Sequence, residues 1–292
     1  MEYVAERYIR DMRKLLISIQ NYLRVRLNPR QKFFLHSILA WFSYSNMHSL
    51  LSTSGYERYR VLQNAFNVFR PFSTQHDEMR VGNDADGGYV LPRINQEWDV
   101  LISPGVGASS VFEMSVATAK TRVILIDGNV PMPSGLPENF EFIKKLLGVE
   151  NSENTVTLNS IIVKYCRKGQ WAMLQMDIEG GEWPVLKEVT SEDLQKFQLI
   201  ILELHNLENL LKDEFRDEYT NVLNKLSLSH FCSHFHVNNA GGFFFYRGKR
   251  FPRVVEVTML NQRYFTPTQE STNFSNLDSV SDPAIFDWKF KF

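Results

Sequence analysis

One stretch constrains this chain more than any other: Leu174-Gln175-Met176-Asp177-Ile178-Glu179-Gly180-Gly181-Glu182-Trp183-Pro184-Val185-Leu186. Met173 to Met176 supply the apolar run of a buried strand. Asp177 and Glu179 fall where that strand leaves its sheet, and Gly180 and Gly181 permit a sharp turn and close approach to the backbone. Glu182 to Glu188 resume a helical pattern, with Pro184 tolerable in the first turn. A strand that ends in acids and turns through glycines into a helix belongs in an open α/β sheet. There, ligands bind at the carboxyl ends of strands. Three carboxylates in so small a space are costly to hold together without compensation.

A second strand–turn–helix precedes it. Val100 to Ser103 are a strand, Pro104-Gly105-Val106-Gly107 a turn, and Val111-Phe112-Glu113 the start of a helix. Glycines there let backbone N–H groups approach a ligand at a helix N-terminus. Val123-Ile124-Leu125-Ile126 form the next strand, which ends in Asp127-Gly128. An acid about 20 residues beyond the glycines suits the two hydroxyls of a ribose. The spacing fits NAD or S-adenosylmethionine and does not separate them. Asn139 to Leu147 are expected to be helical. Thr155 to Leu158 are expected to form a short strand before a helix capped by Asn159 or Ser160.

Phe197 to Leu204 are the clearest strand. It closes on Glu203 and His205, two residues apart and so on one face. It should neighbour the strand ending at Asp177. Asp213 to Leu226 are a charged amphipathic helix. His234 and His236 then share a strand face before Asn238-Asn239 and a Gly-Gly turn. The asparagine amides offer the donors and acceptors that sugar hydroxyls need. Gly242 to Arg247 and Val254 to Leu260 read as two late strands, an antiparallel pair. Earlier, Asp86-Gly87-Gly88 marks a tight turn between two short strands.

Residues 1–72 carry no glycine before Gly55 and repeat apolar residues at helical spacing, broken at Asn28-Pro29. Helices are expected up to residue 23, over 31–52 and over 56–69. The region holds an excess of about seven positive charges, and the remainder about eight negative ones. This basic helical segment is expected to cap the catalytic domain, to self-associate, or to touch a membrane surface. The net charge of −1 argues against nucleic acid as the main partner. Two well-separated cysteines, Cys166 and Cys232, suggest buried free thiols in a reducing compartment. No apolar leader follows the charged opening residues, so a cytoplasmic, optionally membrane-peripheral, protein is expected.

The stretch from Leu174 to Trp183 resembles the signature of the FkbM-type S-adenosylmethionine-dependent methyltransferases, with Gln175 where that family often has Lys, a departure expected to matter little. The resemblance covers roughly residues 80–285. Arg80 to Tyr89, Glu203-Leu204-His205 and His234 to Asn239 are similar to further blocks of the family. It implies an α/β fold, a Rossmann-like class I methyltransferase three-layer sandwich over 73–292 after a helical N-terminal extension over 1–72. It implies O-methylation of a sugar or glycan hydroxyl. The donor would be held by Gly105, Val106, Gly107, Glu113, Asp127, Gly128, Asp177 and Glu179. Ser103 occupies the family's usual acid position, and Glu113 is expected to face the site in its stead. Asp86, Tyr89, Glu203, Asn238 and Asn239 would contact the acceptor. His205, then His236, would act as base beside Asp177. Asp177, Glu203, His205 and His236 together would form a divalent-metal ligand set. Two other readings stay open at this level: an NAD-dependent oxidoreductase, which leaves Asp177 to Trp183 without a role, and a non-catalytic glycan- or partner-binding module.

Overall fold

A computed structural model describes residues 14, 28–41, 53–107, 109–271 and 275–292. The expected helix before residue 24 and the stretch 42–52 lie outside the described residues, Lys14 excepted.

A seven-stranded sheet organises the chain. Its strands, from one edge, are β5 (Phe140–Ile143), β4 (Arg122–Ile126), β3 (Val100–Pro104), β8 (Ala172–Met176), β9 (Phe197–Leu204), β13 (Val255–Asn261) and β10 (His230–Val237). The first five run parallel. β13 runs antiparallel to both β9 and β10, between which it is inserted. The central strands are buried end to end, as a sheet covered on both faces requires. Alternation along them sorts side chains into two cores. Ile102, Ile124, Leu174 and Ile200 face one cluster; Leu101, Val123, Leu125 and Met173 face the other.

The first face is covered by α4 (Leu158–Tyr165), α5 (Glu182–Glu188) and α6 (Asp213–Ser227), which contribute Ile161, Ile162, Val185, Leu186, Val222 and Leu223. Earlier in the chain come α1 (Pro29–Trp41), α2 (Thr53–Val68) and the short α3 (Val111–Val116). Leu62 and Phe66 of α2 enter the same cluster, and Phe66 rests on Phe251 at 5.3 Å. Phe33 of α1 packs on Phe243 and Phe286. On the second face lies the hairpin of β1 (Glu78–Gly82) and β2 (Gly88–Pro92), turned by the Asp86-Gly87-Gly88 segment as expected. Thr258 of β13 donates a hydrogen bond to the Val90 carbonyl at 2.7 Å and ties that hairpin to the sheet.

Three expectations about local structure are corrected. Asn139 to Leu147 are not helical: β5 and β6 (Leu146–Gly148) occupy the stretch. Phe140-Glu141-Phe142-Ile143 alternates apolar and polar over a span too short for a helix, and β4 offers it an open parallel edge. Asn139 fixes its start by donating to the carbonyls of Thr118 and Thr121. The cap of α4 is Thr157, not Asn159 or Ser160: its hydroxyl accepts the Ser160 N–H at 3.2 Å, just after β7 (Thr155–Thr157). The two late strands do not pair with each other. β11 (Phe243–Tyr246) pairs with β12 (Lys249–Pro252) in a hairpin, and the following strand, β13, joins the main sheet. Both cysteines are buried and free. Among the described residues no helix is long and apolar enough to cross a membrane.

Candidate active site

The carboxyl ends of β3, β4, β8 and β9 meet at one rim, and the chain leaves each of them through a residue singled out by sequence. After β3, Gly105 takes a positive φ of 83°, and a Cβ there would stand 1.5 Å from the Asp177 carbonyl oxygen. Only glycine lets the two turns come this close. After β4, Asp127 accepts the Gly107 N–H at 3.2 Å and the N–H groups of Asn129 and Val130. The first glycine turn and the acid 20 residues later are thereby joined. After β8, Glu179 and Gly180 both adopt positive φ, and a Cβ at Gly180 would crowd Asn206.

A cavity of about 600 Å³ opens at this rim. All eight positions expected to hold the donor line it: Gly105, Val106, Gly107, Glu113, Asp127, Gly128, Asp177 and Glu179. Asp86 and Tyr89 of the hairpin line it as well. Its size falls in the usual range for small-molecule sites, roughly 300–1,000 Å³. Val106, Ile126, Val130, Leu146 and Leu147 give it apolar walls. An apolar slot beside a carboxylate suits the base and ribose of a nucleoside, so the residues present fit S-adenosylmethionine.

Beneath the cavity runs a buried polar chain that sequence reading undervalued. Ser103 Oγ lies 2.5 Å from Glu113 Oε1 and donates to Gln175 Oε1 at 2.7 Å; Gln175 Nε2 donates to the Tyr89 hydroxyl at 3.1 Å. Burial raises the Glu113 carboxyl above its usual range. The Ser103 hydroxyl stands within hydrogen-bond reach of both the Glu113 carboxyl and the Gln175 carbonyl. Gln175, expected to matter little, is the central link between β8, β3 and the hairpin.

Beyond Asp177 the rim turns strongly acidic. Met176 pairs with Leu202, which sets Asp177 beside Glu203; Glu203 pairs with Glu256, and Glu256 with His236. A polar row thus crosses four strands. Burial pushes Asp177 up to about 7. Burial, with Asp177 and Glu256 beside it, pushes Glu203 up to about 10. His205 stands over this row. Its Nδ1 lies 3.2 Å from Glu182 Oε1, and its Nε2 lies 3.4 Å from Glu179, 3.6 Å from Glu203 and 4.0 Å from Asp177. Burial alone would lower the imidazole, but the Glu182 bond and the surrounding carboxylates outweigh it and raise its pKa.

Glu182 is the residue that motif reading left without a role. It is 0 % exposed, and its Oε1 also accepts the backbone N–H groups of Ile178 and Gly180. One carboxylate shapes the turn and orients the histidine. Trp183 reinforces this by donating to the His205 carbonyl at 2.7 Å while stacking on Tyr219.

Three expected site residues stand elsewhere. His236 is bound through Nδ1 to Glu256, outside the group of Asp177, Glu203 and His205 whose ligand atoms lie within 4.8 Å of one another. The cause is topological: β13 separates β10 from β9 and places Glu256 between Glu203 and His236. Asn239 is spent on the C-terminal segment, donating to the carbonyls of Asp282 and Ile285 and accepting the Asp282 N–H. Asn238 donates to Glu203 Oε1 at 2.7 Å while its own oxygen accepts the Ala240 N–H, so it positions an acid, and it does not line the cavity.

The family model described as the methyltransferase FkbM domain matches residues 112–228. The match includes Asp127, the Asp177 to Trp183 turn, Glu203 and His205, and begins after the Gly105 to Gly107 turn. No curated protein matches the chain. Among solved structures, a mutant of the 16S rRNA (adenine(1408)-N(1))-methyltransferase from Catenulisporales acidiphilia aligns with 11% identity and a TM-score of 0.29, covering 63% of this chain and 97% of that one. The aminoglycoside resistance methyltransferase NpmB1 aligns with 14% identity and a TM-score of 0.26, over 63% and 100%. Residues 112–228, which carry Asp127, Asp177 and His205, thus match a methyltransferase FkbM domain, and such a domain implies use of S-adenosylmethionine.

Proposed function

We propose that the protein transfers a methyl group from S-adenosylmethionine to a hydroxyl of a sugar or glycan. The observation that carries this reading is the convergence of Gly105, Asp127 and Asp177 on one cavity, with His205 just behind its wall, 4.0 Å from Asp177 and 3.4 Å from Glu179. The strand order β5-β4-β3-β8-β9-β13-β10, with only β13 reversed, supports the class I methyltransferase fold that the sequence suggested.

When bound, S-adenosylmethionine supplies an electrophilic methyl group on a sulfonium. The chain supplies the rest. Backbone around Gly105 to Gly107 and the Asp127 carboxylate hold the nucleoside, and the apolar walls exclude water. Methyl transfer is an in-line displacement, so alignment of the two reacting atoms provides much of the rate. A sugar hydroxyl is a weak nucleophile and must lose its proton as the new bond forms. His205 Nε2 and the Glu179 carboxylate 3.4 Å from it are the groups placed to take that proton. Glu182 fixes which ring nitrogen faces the acceptor.

Two measurements test the reading. Calorimetry with S-adenosylhomocysteine and with NAD should show binding of the former, weakened at least tenfold in Asp127→Ala. Transfer of labelled methyl to a panel of sugars and nucleotide sugars should be detectable and should fall at least a hundredfold in His205→Ala. Binding of NAD alone would overturn the methyltransferase reading. Transfer to amine or base acceptors but to no hydroxyl would overturn the sugar.

A further inference from the structure

Behind the Asp177 wall of the cavity, side-chain oxygens and one ring nitrogen gather without partners of their own. Glu182 Oε1 accepts two backbone N–H groups and faces His205 Nδ1, so Nδ1 carries the ring proton. Nε2, the nitrogen left over, faces three carboxylates within 4.0 Å. Asp177 Oδ1 and Glu203 Oε2 are buried with no hydrogen-bond partner, although Glu203 is only 4 % exposed. Two unpartnered carboxylate oxygens and a ring nitrogen thus gather round one point, where a cation would satisfy them together; protons on the same groups are the competing arrangement that the metal titration below distinguishes.

The geometry narrows what that charge is. Asp177, Glu203 and His205 each offer one atom, and these atoms lie within 4.8 Å of one another. Such spacing suits ligands placed about 2.0–2.4 Å from a common centre. A histidine that binds a metal through one nitrogen characteristically gives its other N–H to a carboxylate, which fixes the ring and raises its basicity. Glu182 is that carboxylate. Asn238 plays the matching part for Glu203 by donating to Oε1. Asp86 and Glu256, which form a second close group with Glu203, add negative charge on its other side.

We propose that Asp177, Glu203 and His205 bind one divalent cation of the Mn²⁺ or Mg²⁺ class beside the cavity, where Asp177 forms its wall, with Glu182 and Asn238 as positioning residues. Its role in catalysis rests on the methyltransferase reading; its existence does not. Such an ion would orient an acceptor hydroxyl and make it more acidic. With Nε2 given to the ion, His205 would no longer serve as base: as the S–CH₃ bond breaks and the O–CH₃ bond forms, the hydroxyl proton would pass to Glu179 alone, whose side chain is 86 % exposed and can deliver it to solvent. The ion itself is unchanged.

The test uses the chelator-treated full chain titrated with Mn²⁺ alone, without methyl donor, read by electron paramagnetic resonance. One Mn²⁺ per chain is expected, with nitrogen coupling from a single imidazole in the spin-echo modulation. Glu203→Gln and His205→Ala should weaken binding at least tenfold, and His205→Ala should also remove the nitrogen coupling. The exposed Glu153→Gln should change neither. Wild-type protein that takes up no stoichiometric Mn²⁺, or takes it up without nitrogen coupling, overturns the site whether or not the variants fold. Undiminished affinity in a folded Glu203→Gln does the same. S-adenosylhomocysteine binding, measured separately, shows whether the donor site stands when the cation site fails.

Discussion

Glu182 gives the sharpest test of how the signature turn works, because one atom of it performs two tasks. Its Oε1 accepts from Ile178 N at 2.9 Å and Gly180 N at 3.1 Å, and it faces His205 Nδ1 at 3.2 Å. Glu182→Gln keeps the oxygen and the shape but removes the charge. Glu182→Ala removes all three contacts and leaves two backbone N–H groups without their acceptor. Each costs about 1–3 kcal/mol when left unsatisfied in a buried place, so the alanine variant should lose about 2–6 kcal/mol. At roughly 2–4 °C per kcal/mol for a chain of this size, its Tm should fall by about 5–20 °C. The glutamine variant should hold its Tm to within about 3 °C. Its His205 bond changes from charge-assisted to neutral, a loss of about 1 kcal/mol. If that loss falls on the transition state, turnover drops about fivefold. Calorimetric melting and methyl-transfer rates on the three proteins would measure both effects. Equal melting of wild type and Glu182→Ala would refute the argument. So would a glutamine variant that unfolds as readily as the alanine one.

Other consequences are open to similar checks. Gly105→Ala forces a Cβ onto the Asp177 carbonyl at a positive φ, so it should abolish S-adenosylhomocysteine binding or soluble expression; a variant that binds normally would show that the two turns need not touch. His230, buried against the Phe197 carbonyl, has its pKa lowered to about 4 by burial from an ordinary 6.5. Its folded value lies below its unfolded one, so its neutral form contributes stability in full above pH 6.5 that is lost as pH falls toward 4, about 3 kcal/mol. Chemical denaturation at several pH values should show wild type losing this amount relative to His230→Gln, and parallel pH curves would contradict the assignment. Asn239→Ala should release the C-terminal segment to limited proteolysis without changing S-adenosylhomocysteine affinity. A raised acceptor KM with the segment still protected would return Asn239 to the acceptor site.

The parts of the site legible in sequence are those written on single strand ends. Gly105, Asp127, Asp177 and His205 each follow a continuous apolar run, and parallel neighbours with both faces covered must bring those ends to one rim. What pairing decides was not legible. Glu256 carried no signal, because its place beside Glu203 depends on an antiparallel register set by a strand some fifty residues later. His236 misled for the same reason: an alternating histidine pair looks alike whichever strand lies next to it. Gln175 and Glu182 escaped notice because their importance lies in hydrogen bonds to Ser103, Tyr89, Ile178 and His205, which only the assembled turn creates. The misassigned helix at 139–147 shows a different limit, since a short strand at the sheet edge is defined by the neighbour it meets.

The place of β13 bears on how the protein is made. During synthesis β9 and β10 emerge long before the segment that must lie between them, and neither can form its final ladder on that side until residues 255–261 have left the ribosome. The nascent chain must carry two unzipped edges, Ile200 to Leu202 on one and Phe235 to Val237 on the other, for the time needed to translate the β11–β12 hairpin. Premature stops within that hairpin should yield chains that hold the nucleoside-side half of the sheet yet stick to one another through those bare margins.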